Sequence, residues 1–379
     1  MEYMKRTFNS IGQGGFYTEK FNNFNMIFDC GSDTNMEVIS QKINDRFDEN
    51  EKINAIFISH FHDDHVNAIE HLLDYCNIER IFLPLLTEEQ KVLMLLDSYC
   101  KEEKDEEKKE GQYDFNRNLI KNPEVVLGKT EIIYVKQDSV NSSHRDQSID
   151  IETIYGEIES GTKITFENAG GWVFIPYNFQ ENVRAKQLQD EINREKIEIT
   201  TINDFEITWR NNKDKIMKAY NSIKGDLNTN SMVIYSGLIS KSYETKYKLE
   251  ACNNVKCGLM GVCFKYDKYN NNLGCLYLGD YDASGKKFER LKYKYEKYWD
   301  KLGIIQLPHH GSKHNFNKEF LEYKKIEYII SAGFRNKFHH PHIEVVKEIY
   351  SEENITLHIV SEFKASEVYC RISWNPICH

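Results

Sequence analysis

AIFISHFHDDHVNAIEHLL, residues 55–73, is the stretch on which the reading of this chain turns. Its apolar start, Ala55 to Ile58, has the character of a buried strand. The polar run that follows sets His60, His62, Asp64 and His65 in a loop, and a helix is expected over Val66–Leu73. In an extended loop, residues two apart project the same way, so His60 and His62 can grip one ion while Asp64 and His65 turn toward a second. Imidazole and carboxylate suit zinc, and manganese competes where oxygen donors dominate. Asp63 reads as a cap or as a hydrogen-bond acceptor beside the donors.

Two ions need more donors than one loop holds, and other apolar runs end in them. NMIF leads into Asp29-Cys30-Gly31, and CLYL into Gly279-Asp280. IIQL leads into Pro308-His309-His310-Gly311-Ser312, and EYII into SAGFRNKFHHP with His339 and His340. An aspartate at the end of a buried strand is costly unless it is paired or bound to a metal. Strand ends are also where open α/β sheets build their sites.

The rest of the chain fits a layered α/β protein. Strands are expected at Phe24–Phe28, Arg80–Leu86, Glu131–Val135, Lys163–Phe166, Trp172–Ile175, Ser231–Tyr235, Cys275–Leu278, Ile304–Leu307 and Glu327–Ile330, with helices at Phe288–Trp299 and Ile343–Tyr350. Two stretches read as helical insertions. The first, about 87–122, contains KEEKDEEKKE at 101–110, which reads as a solvated helix face ahead of a partner-binding arm. The second, about 180–222, reads as a lid or a flank of the substrate groove.

The chain has 379 residues, 40% of them hydrophobic, enough for a full-sized core. No window approaches the roughly 20 apolar residues of a membrane helix, and MEYMKRTFNS lacks the apolar core of a signal peptide, so a cytoplasmic protein is expected. Nine scattered cysteines suit a reducing compartment. Cys252, Cys257 and Cys263 lack the paired spacing of a zinc knuckle. The net charge of −10 disfavours passive binding of nucleic acid but leaves room for a nuclease, because bound divalent ions supply local positive charge.

Together these motifs resemble the metallo-β-lactamase superfamily. More narrowly, Gly12-Gln13-Gly14, Asn230-Ser231, LGD at 278–280, LPHHGS at 307–312 and SAGFRNKFHHPH at 331–342 resemble the hydrolase domain of ComEC-type competence proteins and related phosphorylcholine esterases. The resemblance implies one αββα sandwich over residues 1–379 carrying the two helical insertions. It implies two divalent metal ions, zinc ahead of manganese, with His60 and His62 on one, Asp64 and His65 on the other, Asp280 bridging and His310 as the late histidine. His309 and His340 would face the substrate and, with Asp64, carry the catalysis, while Asp29 would hold the histidine-rich loop. A further histidine usually completes the first metal site; past the first helix, the interval offers only His144 in NSSHRDQS.

The expected activity is hydrolysis of a phosphodiester, as a phosphodiesterase or nuclease using a two-metal-activated water. Arg335 and Lys337 are candidates to hold phosphate, and Tyr277, Tyr281 and Phe338 to stack on bases of a nucleic acid or nucleotide. The alternatives are a hydrolase of small phosphoesters, lactones or thioesters with a narrower pocket, and a scaffold with a vestigial metal site that binds a protein partner through the charged insertions. An oxygen-reducing di-iron role is disfavoured, because His62 stands where that branch resembles H-x-E-x-D-H.

Overall fold

The strand that feeds the histidine-rich loop, Ala55–Phe57, lies inside a ten-stranded sheet. The computed structural model describes residues 2–104, 113–138, 148–180, 183–198, 202–223, 230–240, 243–251, 265–268, 272–323, 326–353 and 355–376. In spatial order the sheet runs Gly156–Ile158, Glu131–Val135, Arg80–Pro84, Ala55–Phe57, Asn25–Ser32, Gly14–Phe21, Glu2–Phe8, Val368–Pro376, Tyr243–Ala251 and Lys265–Lys268. A second sheet of eight strands runs Thr356–Val360, Glu327–Ser331, Leu302–Gln306, Gly274–Tyr277, Asn230–Leu238, Trp172–Gln180, Lys163–Thr165 and Ser148–Asp150.

Each sheet has a parallel block. Asn25–Ser32, Ala55–Phe57, Arg80–Pro84 and Glu131–Val135 run parallel in the first, and Gly274–Tyr277, Leu302–Gln306, Glu327–Ser331 and Thr356–Val360 in the second. The loops that leave these strands at their carboxyl ends carry most of the candidate site, as expected for a sheet of this type.

Successive side chains of a strand point to opposite faces, which explains why the strands are apolar throughout. Met232 and Ile234 enter the core between the sheets, whereas Val233 and Tyr235 enter the core behind the second sheet. Phe57 and Phe82 face inward, and their neighbours Ile56 and Ile81 face the helices behind the first sheet. Those helices include Met36–Arg46, which buries Ile39 and Ile43. Lys286–Lys294 and Ile343–Ser351 cover the second sheet through Phe288, Leu291, Val345 and Ile349. Two sheets packed face to face with helices outside each make an αββα sandwich.

The expected strands are all present, with shifted ends, but two expected helices are broken. Val66–Leu73 divides into Asp63–Val66 and Ile69–Tyr75. At the break, Asn67 is hydrogen-bonded to both backbone groups of Ser32 (2.9 and 3.0 Å), and the Ala68 amide donates to the Cys30 carbonyl (3.0 Å). Phe288–Trp299 divides at Tyr295, whose ring is pulled into the sheet by hydrogen bonds from its hydroxyl to the carbonyls of Ile175 and Val233.

The strand Glu2–Phe8 has no apolar run, because Arg6 occupies a core-facing position between Met4 and Phe8. Its guanidinium is buried against Glu19 (2.7 Å) and the carbonyls of Leu273 and Ser236, while Glu19 also accepts from Ser236 and Tyr277.

The helix Glu88–Lys104 is buried along its middle and open at both ends. It buries Val92 to Leu96 and Cys100 against Leu188, Ile192, Phe205, Trp209 and Ile216 of the second insertion. Glu88 and Glu89 are exposed at its start; at its end, 101–104 of the charged run are half-exposed to exposed, and 105–110 lie outside the described residues. Among the described residues no helix is long and apolar enough to cross a membrane.

Candidate metal centre

The histidine-rich loop is held from below by Asp29. This residue sits on a register shift in Asn25–Ser32 and has φ of 55°, which turns its carboxylate out of the ladder. One oxygen accepts from the Ser59 amide (2.7 Å); the other accepts from the Ser59 hydroxyl (2.8 Å) and from His65 Nδ1 (2.8 Å). His60 Nδ1 in turn bonds the Ser59 hydroxyl (2.8 Å). The loop backbone passes so close to the neighbouring strand that a Cβ on Gly31 would stand 2.6 Å from Asp63 O and His65 N. Glycine is the residue that allows that approach.

With their Nδ1 atoms engaged, His60 and His65 present Nε2 to the space beyond the strand ends. Asp280 meets them there, its Oδ2 at 3.5 Å from His60 Nε2 and its Oδ1 at 3.3 Å from His65 Nε2. His310 donates from Nδ1 to the Ser331 carbonyl (2.8 Å) and sets Nε2 2.9 Å from Asp64 Oδ2. Two groups of donor atoms result, His60 with His62 and Asp280, and Asp64 with His65 and His310; within each, all atoms lie within 4.8 Å of one another. His60 Nε2, His62 Nε2, His65 Nε2 and Asp280 Oδ1 are buried without a hydrogen-bond partner. Buried polar atoms are normally satisfied, so four orphans aimed at one space fit a site for divalent cations.

Residues 20–88, which include Asp29 and the whole histidine-rich loop, match the family model described as the metallo-beta-lactamase superfamily. The αββα sandwich built around these residues is consistent with the metallo-β-lactamase fold. A solved structure, that of the metallo-beta-lactamase fold protein YhfI from Bacillus subtilis, is similar over 99% of this chain and 100% of its own, at 10% identity and a TM-score of 0.38. No curated protein matches the chain. The superfamily signature in residues 20–88 points to a metal-dependent hydrolase, and the two donor groups are candidates for divalent metals.

The electrostatics of this site divide it in two. Burial, the Lys101 ammonium and His60 push His62 well below the ordinary imidazole range; burial and His65 do the same to His60 in smaller measure. Both are therefore neutral, the form that donates to a metal. Burial also opposes charge on His65, but Asp64, Asp280 and Asp29 outweigh it and raise its pKa well above the usual value. Burial likewise works against the Asp64 and Asp280 carboxylates. His65 and His310 overcome it at Asp64, and His309, His65 and His60 at Asp280, so both are held well below the carboxylate range.

A cavity of about 1010 Å³ opens over the two donor groups. His309 and His340 line it, their ring centroids 5.4 Å apart, and both have positions fixed by amides. His309 Nδ1 bonds Asn315 Oδ1 (3.0 Å), and the Gln13 amide donates to His340 Nδ1 (3.3 Å). Asn336 shapes the His340 loop, accepting from the His340 amide and donating to the Gly333 and His340 carbonyls. Arg335, Lys337 and Phe338 line the same cavity, whereas His339 is exposed outside it. Tyr277 and Tyr281 do not reach it: they are 0% and 1% exposed, because they point into the cores on the two faces of the second sheet.

Asp63 is the first residue of its short helix rather than the cap, and its carboxylate accepts from Asn116 of the first insertion (2.9 Å). The groove wall also comes from that insertion, through Lys101, Lys104 and Tyr113. Among the described residues the second insertion adds none to the cavity lining and packs behind the first, which corrects its reading as the groove flank. Ser59, Asn315, Asn336 and Asp97 are site residues that the motifs do not mark; Asp97 Oδ2 stands 3.7 Å from His62 Nε2. His144, Cys252, Cys257 and Cys263 lie outside the described residues. The described cysteines, Cys30, Cys76, Cys100, Cys275 and Cys370, are all buried.

Proposed function

We propose that this chain is a two-metal phosphodiesterase or nuclease, working as one metallo-β-lactamase unit with two helical insertions. In this reading His60 and His62 would hold one ion and Asp64, His65 and His310 the other, with Asp280 as the carboxylate they would share. Zinc suits the imidazole-rich first group, and the second, with more oxygen donors, would also accept manganese. The ions, when bound, supply Lewis acidity and activate water for attack on the substrate.

The observation that carries the choice of substrate is the composition of the cavity wall. Arg335 and Lys337 on one loop and Lys101 and Lys104 on the inserted helix are the cations that meet in it. Cations converging on a metal centre suit a phosphate ester better than a neutral lactone or thioester. Phe338, 46% exposed beside His340, offers a ring for a base to stack on.

His340 is placed to assist the leaving group. With Gln13 donating to Nδ1, the neutral ring keeps its proton on Nε2, from which it can pass to a departing oxygen. His309 is a substrate-facing residue whose Nε2 lies 3.7 Å from Asp280 Oδ2.

The test is a substrate panel on the zinc- or manganese-loaded protein: bis(p-nitrophenyl) phosphate, single- and double-stranded DNA, RNA and cyclic nucleotides against a lactone and a thioester. Turnover of diesters ahead of carbonyl substrates supports the reading. Preference for the lactone or thioester overturns it.

A further inference from the structure

Among the described residues the first donor group has only His60, His62 and Asp280, and in the two-metal reading Asp280 is shared with the second. The inserted helix Glu88–Lys104 brings one more carboxylate beside its His62. Asp97 is 3% exposed, and its Oδ2 faces His62 Nε2 across 3.7 Å. This is the histidine nitrogen that lacks a hydrogen-bond partner and belongs to the donor group. Two donors each about 2.1 Å from a shared zinc ion can stand up to about 4 Å apart, so the observed spacing allows one ion to bind both.

Asp97 is also built as a ligand would be. Tyr220 of the second insertion donates its hydroxyl to Asp97 Oδ1 (2.8 Å), and Lys101 Nζ lies 2.8 Å from Oδ2. A metal-binding carboxylate normally has such partners to aim it. The residue does not line the cavity, so it meets the first donor group from the protein interior, leaving the substrate side to His309.

We infer that Asp97 is a ligand of the first metal ion, supplied by the insertion. The inference rests on the two-metal reading above. It joins the two insertions in one role, in which the first presents the carboxylate and the second holds it with Tyr220.

The experiment measures zinc stoichiometry and affinity of the full-length protein, by elemental analysis after reconstitution and by titration against a chromophoric chelator. Wild type should bind two ions. Asp97→Asn, which keeps an oxygen for Tyr220, should lose one ion or bind it more than about 100-fold more weakly. The cobalt-loaded variant should also show altered visible bands for that ion, a change that a packing role would not produce. Thermal unfolding in excess chelator should match wild type. If Asp97→Asn fails to fold, Tyr220→Phe decides, with about tenfold weaker binding of one ion expected and unchanged affinity for both ions counting against the inference. A wild-type chain that binds fewer than two ions overturns the two-metal reading and this inference together. Two ions retained by Asp97→Asn with an unchanged cobalt spectrum overturn this inference alone.

Discussion

The side chains around the histidine-rich loop come from two regions that differ in how they are held. Asp29, Asp280 and His310 stand in or just beyond strands of the two sheets, whose positions are set by ladder hydrogen bonds and by a core on both faces. Asp97, Asn116 and Tyr220 stand on inserted helices that pack against one another and on the back of the first sheet; Asp97 and Asn116 reach the loop only through their side-chain tips, and Tyr220 only through Asp97. Precision in a site follows from what supports it. The strand-borne residues should therefore set the chemistry and the helix-borne ones should tune it.

The largest effect should come from the residue that joins the two donor groups. Asp280→Ala, or Asp64→Ala on the second group alone, should lower hydrolysis of bis(p-nitrophenyl) phosphate by at least about a thousandfold while circular dichroism stays that of the wild type. Full activity in either variant would remove the basis for a metal-dependent reaction at this site. Next comes His340→Ala, with turnover reduced about a hundredfold or more and metal content unchanged. A parallel fall in metal content would make His340 a ligand instead.

Asp29→Asn tests support without touching a donor atom. The Ser59 amide and hydroxyl and His65 all bond this carboxylate, so the variant should bind zinc roughly 10–100-fold more weakly, with activity restored at high zinc. If saturating metal does not restore activity, Asp29 acts on the reaction and not only on the loop.

The same division decides what could be read from the chain alone. A buried strand ending in Asp or His leaves a local mark, an apolar run cut off by a donor, and for Asp280 and His310 that mark led to positions the fold brings together with the histidine-rich loop. Asp97 leaves no such mark. In DSYCK its carboxylate and Lys101 have the spacing of an ordinary surface pair on a helix, and only the packing of Val92–Leu96 turns that face toward His62. The sandwich was legible through its apolar strands. Glu2–Phe8 was not, because a buried Arg6–Glu19 pair replaces an apolar contact there. The aromatic residues illustrate the opposite error: Tyr277 and Phe338 look alike in sequence, and only the strand under the first and the loop under the second decide that one is core and the other rim.

The smallest effect should come from Asn116, which with Asp97 brings the first insertion to the histidine-rich loop. Its amide donates one hydrogen bond to Asp63, a carboxylate that burial raises to about 6 against the opposing pull of that bond and of Lys101. Removing one such bond costs about 1 kcal/mol, roughly a fivefold change in an equilibrium. Asn116→Ala should accordingly weaken zinc binding less than tenfold in titrations run beside Asp29→Asn. The comparison is sharp because both residues act through one loop, which Asp29 bonds from a strand and Asn116 from an inserted helix. Equal losses in the two variants would mean that the insertion supports the site as strongly as the sheet does, and the division between setting and tuning would fail.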